Sequence, residues 1–249
     1  LPAATSRAPR DLARRVFGQR LDARERATLG SYRRWLVWLR DITLGRLPLV
    51  LQGGDALPGT DESDREVTVR MQAAVQDAVE SGWSSILSDL ERAYRRDLDE
   101  FDELDPAVIE LIAARLVKIK GATQTAAKRI RALLAEGVEE GEALAQLQER
   151  VRTVINGLSR TQAVRVATTE TASGFNGARF AAMGRAEVPR QEWLSSSDEL
   201  VRETHTIDGE VVQLGESFSN GLRHPHDPAG PPSEVIECRC VALPVLEAS

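Results

Sequence analysis

All three histidines (His205, His224, His226) and both cysteines (Cys238, Cys240) fall in the last 45 residues of a 249-residue chain. Cysteine and histidine together are the ligands of four-coordinate structural zinc, so zinc is the metal to expect if there is one. In a last strand from about Glu234 to Leu243, Cys238-Arg239-Cys240 would turn both thiols to one face. There they could meet His205 and one of His224, His226 or Asp227. Common zinc knuckles separate their cysteines by two or more residues, which weighs against this set. The competing reading has no cofactor: the thiols are small buried apolar groups and His205 is a hydrogen-bonded structural residue. A disulfide between residues one apart would be strained.

Asp198, Glu199, His205, Asp208 and Glu210 could be assembled into an acid–base site, but their spacing singles out no pair. His205 to Asp208 lacks the His-x-Glu of zinc deaminases, and Cys-x-Cys is not their Cys-x-x-Cys. The sequence has no Gly-rich phosphate loop, no Gly-x-Ser-x-Gly elbow and no His-Glu-x-x-His helix. A second polar set, Arg165, Thr169, Glu170, Asn176 and Arg179, lies on a helix otherwise rich in Ala and Gly. Small residues permit close approach, and a buried carboxylate there needs a cation, which Arg202 or Arg239 could supply. Nothing in this set implies a substrate, so it reads as a lock between helix and tip.

These groups need a scaffold, and apolar spacing describes a helical one. Tyr32, Trp35, Leu36, Leu39 and Ile42 predict a first helix over 31–42. Gly45 to Thr60, with Pro48, Gly53, Gly54, Pro58 and Gly59, reads as a linker. Ser63 and Glu66 fit a capping box opening a long helix striped by Trp83, Leu87, Leu90, Tyr94, Leu98 and Phe101. Asp105-Pro106 should start the next, ended by Gly121. Helices over 123–136 and 144–155 follow, then a sixth from a Ser159/Gln162 capping box to about Gly184. After Pro189, short apolar pieces (Trp193-Leu194, Leu200-Val201, Val211-Val212, Val235-Ile236) alternate with turn signals such as Asp208-Gly209 and Asn220-Gly221. The expected fold is mainly α with a small α+β C-terminal domain: an elongated antiparallel helical region, then a compact β-containing tip packed on a long helix. The expected domains are a basic segment and linker (1–60), a helical stalk (61–157) and a C-terminal domain (158–249).

Residues 1–58 carry 11 Arg against 5 acidic residues, and the remainder has 21 basic and 33 acidic. An acidic body repels phosphates, so DNA contact is expected only within residues 7–46. Aromatic residues make up 4% of the chain, too few for a broad base-stacking surface. No apolar run reaches the roughly 18 to 20 residues that span a bilayer, and Leu1-Pro2-Ala3-Ala4 does not read as a secretory signal. The first residue is not Met, so the chain is readable as a piece of a longer polypeptide.

The ordered set Arg165 to Thr171, Asn176, Arg179, Trp193, Asp198, Arg202, His205, Asp208-Gly209, Phe218, Pro225, Asp227-Pro228 and Cys238-Arg239-Cys240 resembles the phage Mu F-like family of minor head proteins. The resemblance runs over about 60–245 and concentrates in 160–243. It implies a tailed-phage structural protein present in few copies in the virion, oligomeric in the assembly, with the portal protein and other capsid components as partners. It also implies action in head assembly or packaged-DNA handling, without established catalysis. Some members are fused behind a portal protein and others precede a toxin domain, so 1–60 could be a portal-contact or fusion segment, its Arg-rich opening anchoring through Trp35 and Trp38 on the portal ring or another protein. The alternative class is an enzyme or toxin-associated module acting on nucleic acid or protein through the His/Asp/Cys cluster.

Overall fold

The computed structural model describes residues 7–94 and 101–246. Its elements are α1 (Arg7–Val50), α2 (Thr60–Tyr94), α3 (Pro106–Glu139), α4 (Leu144–Arg160), α5 (Gln162–Arg185), β1 (Arg190–Leu194), a 3-10 turn (Glu203–His205), β2 (Val211–Gln213), a helical turn α6 (Pro232–Val235) and β3 (Val241–Val245). The protein is mainly helical with one small antiparallel sheet of order β2-β1-β3, as the apolar spacing implies.

The helices are longer than expected because their apolar stripes run on past the local break signals. Buried Phe17, Leu21, Tyr32, Trp35, Leu36, Leu39 and Leu47 hold α1 together far beyond 31–42. It ends after Pro48, where Gly53, at φ 80°, turns the chain and donates to the Val50 carbonyl. In α2 the first turn holds Asp61 and Glu62, favourable at the positive end of the helix dipole, and Ser63 already donates its N–H to Gly59. The helix therefore starts before the Ser63/Glu66 capping box. Asp105 does cap α3, accepting the Ala107 N–H at 2.8 Å ahead of Pro106. Gly121 does not end it. A mid-helix glycine costs only about 1 kcal/mol, while Ile119, Ala126, Ile130 and Leu134 continue one buried stripe. Ser159 likewise lies inside α4, and the break before α5 is Thr161 alone.

The chain forms two compact units, each drawn from separate stretches: Leu1–Glu25, Ala74–Arg115 and Thr168–Ser249; and Arg26–Ala73 and Leu116–Ala167. In the second, the Tyr32 and Trp35 rings pack with centres 5.3 Å apart and planes tilted by 45°, and Gln162 donates to the Tyr32 hydroxyl and to the Ala122 carbonyl. Trp35, a candidate docking anchor from sequence, is fully buried and offers no surface to a partner. In the first unit, Val79, Trp83, Ile86 and Leu90 of α2 form one core with Ala178, Ala182 and Met183 of α5. Leu87 and Phe101 pack against it, whereas Leu98 of the expected stripe lies outside the described residues.

The tip belongs wholly to the first unit. Among its apolar pieces, Trp193-Leu194 and Val211-Val212 are strand. Leu200 is 87% exposed and forms no strand. Pro232 opens the helical turn α6, which takes Val235, and Glu237 then turns at φ 57°. The last strand consequently begins only at Val241, and Cys238-Arg239-Cys240 is irregular chain leading into it.

Candidate functional site

The polar set of α5 meets β3. Asn176 donates to the Cys240 carbonyl at 3.0 Å and to Ala172 of its own helix at 3.0 Å. Arg179, fully buried, forks onto the Ala242 carbonyl with Nε at 3.2 Å and Nη2 at 2.8 Å. The same guanidinium donates to the Ser85 hydroxyl and to Asp89 of α2, and lies 4.4 Å from the centre of the Phe17 ring. Burial lowers its pKa against the opposing pull of Asp89. One side chain thus joins α1, α2, α5 and the strand that follows the Cys-Arg-Cys run. Arg165 is exposed on α5.

Glu170 does not meet Arg202 or Arg239. Arg115 of α3 stands 3.6 Å away, while Arg202 donates to the Ile236 carbonyl and Arg239 pairs with Asp22 and Glu25 of α1. Both tip arginines are thus committed elsewhere, Arg202 within the tip and Arg239 to α1, and α3 supplies the cation. Asp208 accepts the Ser195 N–H at 2.6 Å and its hydroxyl at 2.8 Å, and pairs with Arg14 of α1 at 2.8 Å. Asp198 closes its own turn through the Leu200 N–H. Gly209 sits at φ 85°, where an added Cβ would meet the Arg10 guanidinium at 2.5 Å, and Arg10 pairs with buried Glu192 of β1.

The soft donors do come together. His205, Cys238 and Cys240 are all buried, and their donor atoms lie within 4.8 Å of one another, a group that could hold a metal. His205 Nδ1 is 3.5 Å from Cys238 Sγ and 3.6 Å from Cys240 Sγ. Its Nε2 faces Glu234 of α6 at 2.9 Å. Trp193 packs edge-on to the His205 ring at 5.1 Å, and Phe218 and Leu222 complete the apolar wall. A hydrogen bond between the two free thiols pulls the Cys238 pKa down, while that hydrogen bond and burial push Cys240 up.

The sequence candidates for a further ligand are engaged elsewhere. His226 donates Nε2–H to the Cys238 carbonyl at 2.6 Å and accepts from the Ser173 hydroxyl at 3.0 Å. Asp227 holds Arg223 in a two-pronged pair at 2.7 Å. Burial raises the pKa of Asp227, but that guanidinium and the Ala229 N–H outweigh it and keep the carboxyl well below its usual range.

His224 donates Nδ1–H to the Pro225 carbonyl at 2.8 Å and stacks on Phe180 at 4.5 Å. Burial lowers its pKa to about 4 against that bond and the facing Asp227, with Arg223 and His226 adding to the lowering. The unfolded chain takes up this proton near pH 6.5 and the folded chain only near pH 4. The stability tied to a neutral His224 is therefore complete above pH 6.5 and is lost as pH falls, by about 3 kcal/mol at pH 4. Urea unfolding at pH 7 and pH 4.5 should show a clearly smaller acid loss in His224→Gln; an equal loss in both proteins contradicts the assignment.

Sequence reasoning missed Glu234, Arg115, Ser85, Asp89, Arg14 and Ser173. Each reaches its partner from a distant element, and only the helical phase of Ser85 and Asp89, four apart on α2, hinted at a shared polar face.

Residues 128–243 match the model of the family described as Phage Mu protein F like protein, a later start than the resemblance from about residue 60 suggests. No curated protein and no solved structure matches the chain. The ordered side chains that join α5 to the tip lie inside the matched stretch, and over residues 128–243 the chain is similar to the phage Mu F-like family of head morphogenesis proteins.

Proposed function

We propose that the chain is a structural minor head protein of a tailed phage, oligomeric at the portal vertex of the virion, acting in head assembly or packaged-DNA handling and not as an enzyme. The observation that carries this reading is the use of the family's ordered polar residues: Asn176 and Arg179 are buried and bonded to main-chain carbonyls of the tip. Such groups position a strand; a turnover site would keep them available to a substrate. On the same reading the His205, Cys238 and Cys240 group is a fastener, with structural zinc as its ion. No helix among the described residues is long and apolar enough to cross a membrane.

The test is cross-linking mass spectrometry on purified particles. The expected result is this chain at low copy, linked to the portal protein. Normal infectious particles lacking the chain would overturn the reading.

For DNA, the basic helix α1 is narrower than its composition suggests. Arg10, Arg14, Arg24, Arg40 and Arg46 pair with carboxylates of this chain, whereas Arg15 and Arg26 are exposed. DNA contact within 7–46 therefore falls to residues such as these. Replacing both with Glu should weaken binding to duplex DNA and reduce the log–log salt slope by about 0.9 for each phosphate no longer neutralised. Binding insensitive to salt or to these changes contradicts it.

A further inference from the structure

His205 presents a single Nδ1 lone pair to two thiols at once, at 3.5 and 3.6 Å. One lone pair cannot accept well from both. The other ring nitrogen settles the tautomer. Glu234 Oε2 lies 2.9 Å from Nε2 and also accepts from the Thr204 hydroxyl at 2.8 Å, so that oxygen is an acceptor and Nε2 carries the proton. In the neutral imidazole Nδ1 is then the lone-pair nitrogen, and it is the one aimed at the sulfurs. A carboxylate on the far nitrogen of a histidine whose near nitrogen faces thiols is the arrangement that orients metal-binding imidazoles.

The spacing fits the same conclusion. Zinc bonds of about 2.3 Å to sulfur and 2.0–2.1 Å to nitrogen, opened to a tetrahedral angle, separate a sulfur from a nitrogen by about 3.6 Å. The charge fits as well. Two thiolates and a neutral imidazole around a dication sum to zero, so the loaded group can stay in an apolar core walled by Trp193, Phe218 and Leu222.

From these observations we infer that His205 Nδ1, Cys238 Sγ and Cys240 Sγ are the three protein ligands of one zinc ion, and that Glu234 is the positioning residue that holds His205 for it. The inference rests on the structural reading of this group and extends it by naming the ligand atoms and the residue that aims them. His224, His226 and Asp227 take no part, and the remaining position of a tetrahedral ion goes to a solvent or main-chain oxygen. Binding converts two S–H groups to thiolates and releases their two protons to water, with no change of oxidation state.

The full chain, purified without chelator, should contain one zinc per molecule by elemental analysis. Cobalt(II) added to the metal-stripped chain should give thiolate-to-cobalt charge-transfer absorption, and Cys238→Ser with Cys240→Ser should abolish both signals. Glu234→Ala should keep the cobalt spectrum while weakening zinc by about 10–100-fold. Its metal-free melting temperature should fall modestly, because the hydrogen bonds from His205 and Thr204 are lost, and Glu234→Gln, which retains an acceptor, should recover most of the zinc affinity. A chain with no zinc that gives no cobalt band, or equal zinc in the double-serine variant, overturns the metal site. Zinc bound at unchanged affinity in Glu234→Ala overturns only the role of Glu234. Neither outcome bears on whether the chain is found in particles, so the structural head reading stands or falls separately.

Discussion

Arg179→Leu is expected to lower the unfolding free energy by about 3 kcal/mol or more, measured by urea denaturation at pH 7. The substitution nearly preserves apolar volume, so the loss comes from the groups left behind. The Ala242 carbonyl loses two donors, and Ser85 and Asp89 lose a cation with no water able to replace a fully buried guanidinium. Arg179→Lys should recover little, because an ammonium cannot place two donors on one carbonyl while reaching Asp89. The control is Arg185→Leu, six residues on along α5. Its guanidinium pairs with Asp105 but is 59% exposed, and the expected change is below about 1 kcal/mol. Similar effects at both positions would mean that the buried fork contributes nothing special.

Gly82→Ala should be of similar size, for a reason unrelated to charge. Gly82 lies on α2 where the backbone of α5 crosses it. An added Cβ would press on the Phe175 carbonyl oxygen well inside van der Waals contact and stand 2.9 Å from the Phe175 Cα. Neither neighbour is the free end of a side chain, so the helices must move apart, at about 3 kcal/mol. Separation would also lift Val79, Trp83 and Ile86 from Ala178 and Ala182. The same substitution at Gly121, inside α3 with nothing within 4 Å of the new methyl, should instead stabilise the protein by about 1 kcal/mol. Opposite signs for one chemical change, read as urea midpoints, would separate crowding from helix propensity.

The contrast between those glycines also shows what the sequence makes legible. Gly121 looks like a helix end because glycine often is one, yet the stripe through Ile119, Ala126 and Ile130 decides the matter. Gly82 carries no local sign of its crowding, since Phe175 is remote in the chain. The start of α3 at Asp105-Pro106 could be read because one side chain and one ring determine it locally. The meeting of His205 with Cys238 and Cys240 could be read from residue type, because soft ligands gathered in one small tip have few other places to go. Glu234 could not. It becomes a partner of His205 only after Pro232 starts a helical turn in a stretch whose Val235-Ile236 suggests strand. Arg115 was equally hidden: on α3 it looks like one more solvated cation, yet it is buried against Glu170 of α5. Trp35 shows the reverse error, an aromatic in a basic segment that suggests a docking anchor but lies inside a core.

On the proposed reading the polar residues of α5 and the tip are fasteners, and the most direct test of that proposal takes one variant, Asp208→Ala, and measures unfolding free energy and head assembly together. Asp208 ties the Ser195 N–H and hydroxyl to Arg14 of α1, so removing it should weaken the protein by about 2 kcal/mol and reduce incorporation into particles in parallel. An Asp208→Ala protein as stable as the parent, incorporated at the parental level, yet yielding particles that have lost a chemical activity, would contradict it.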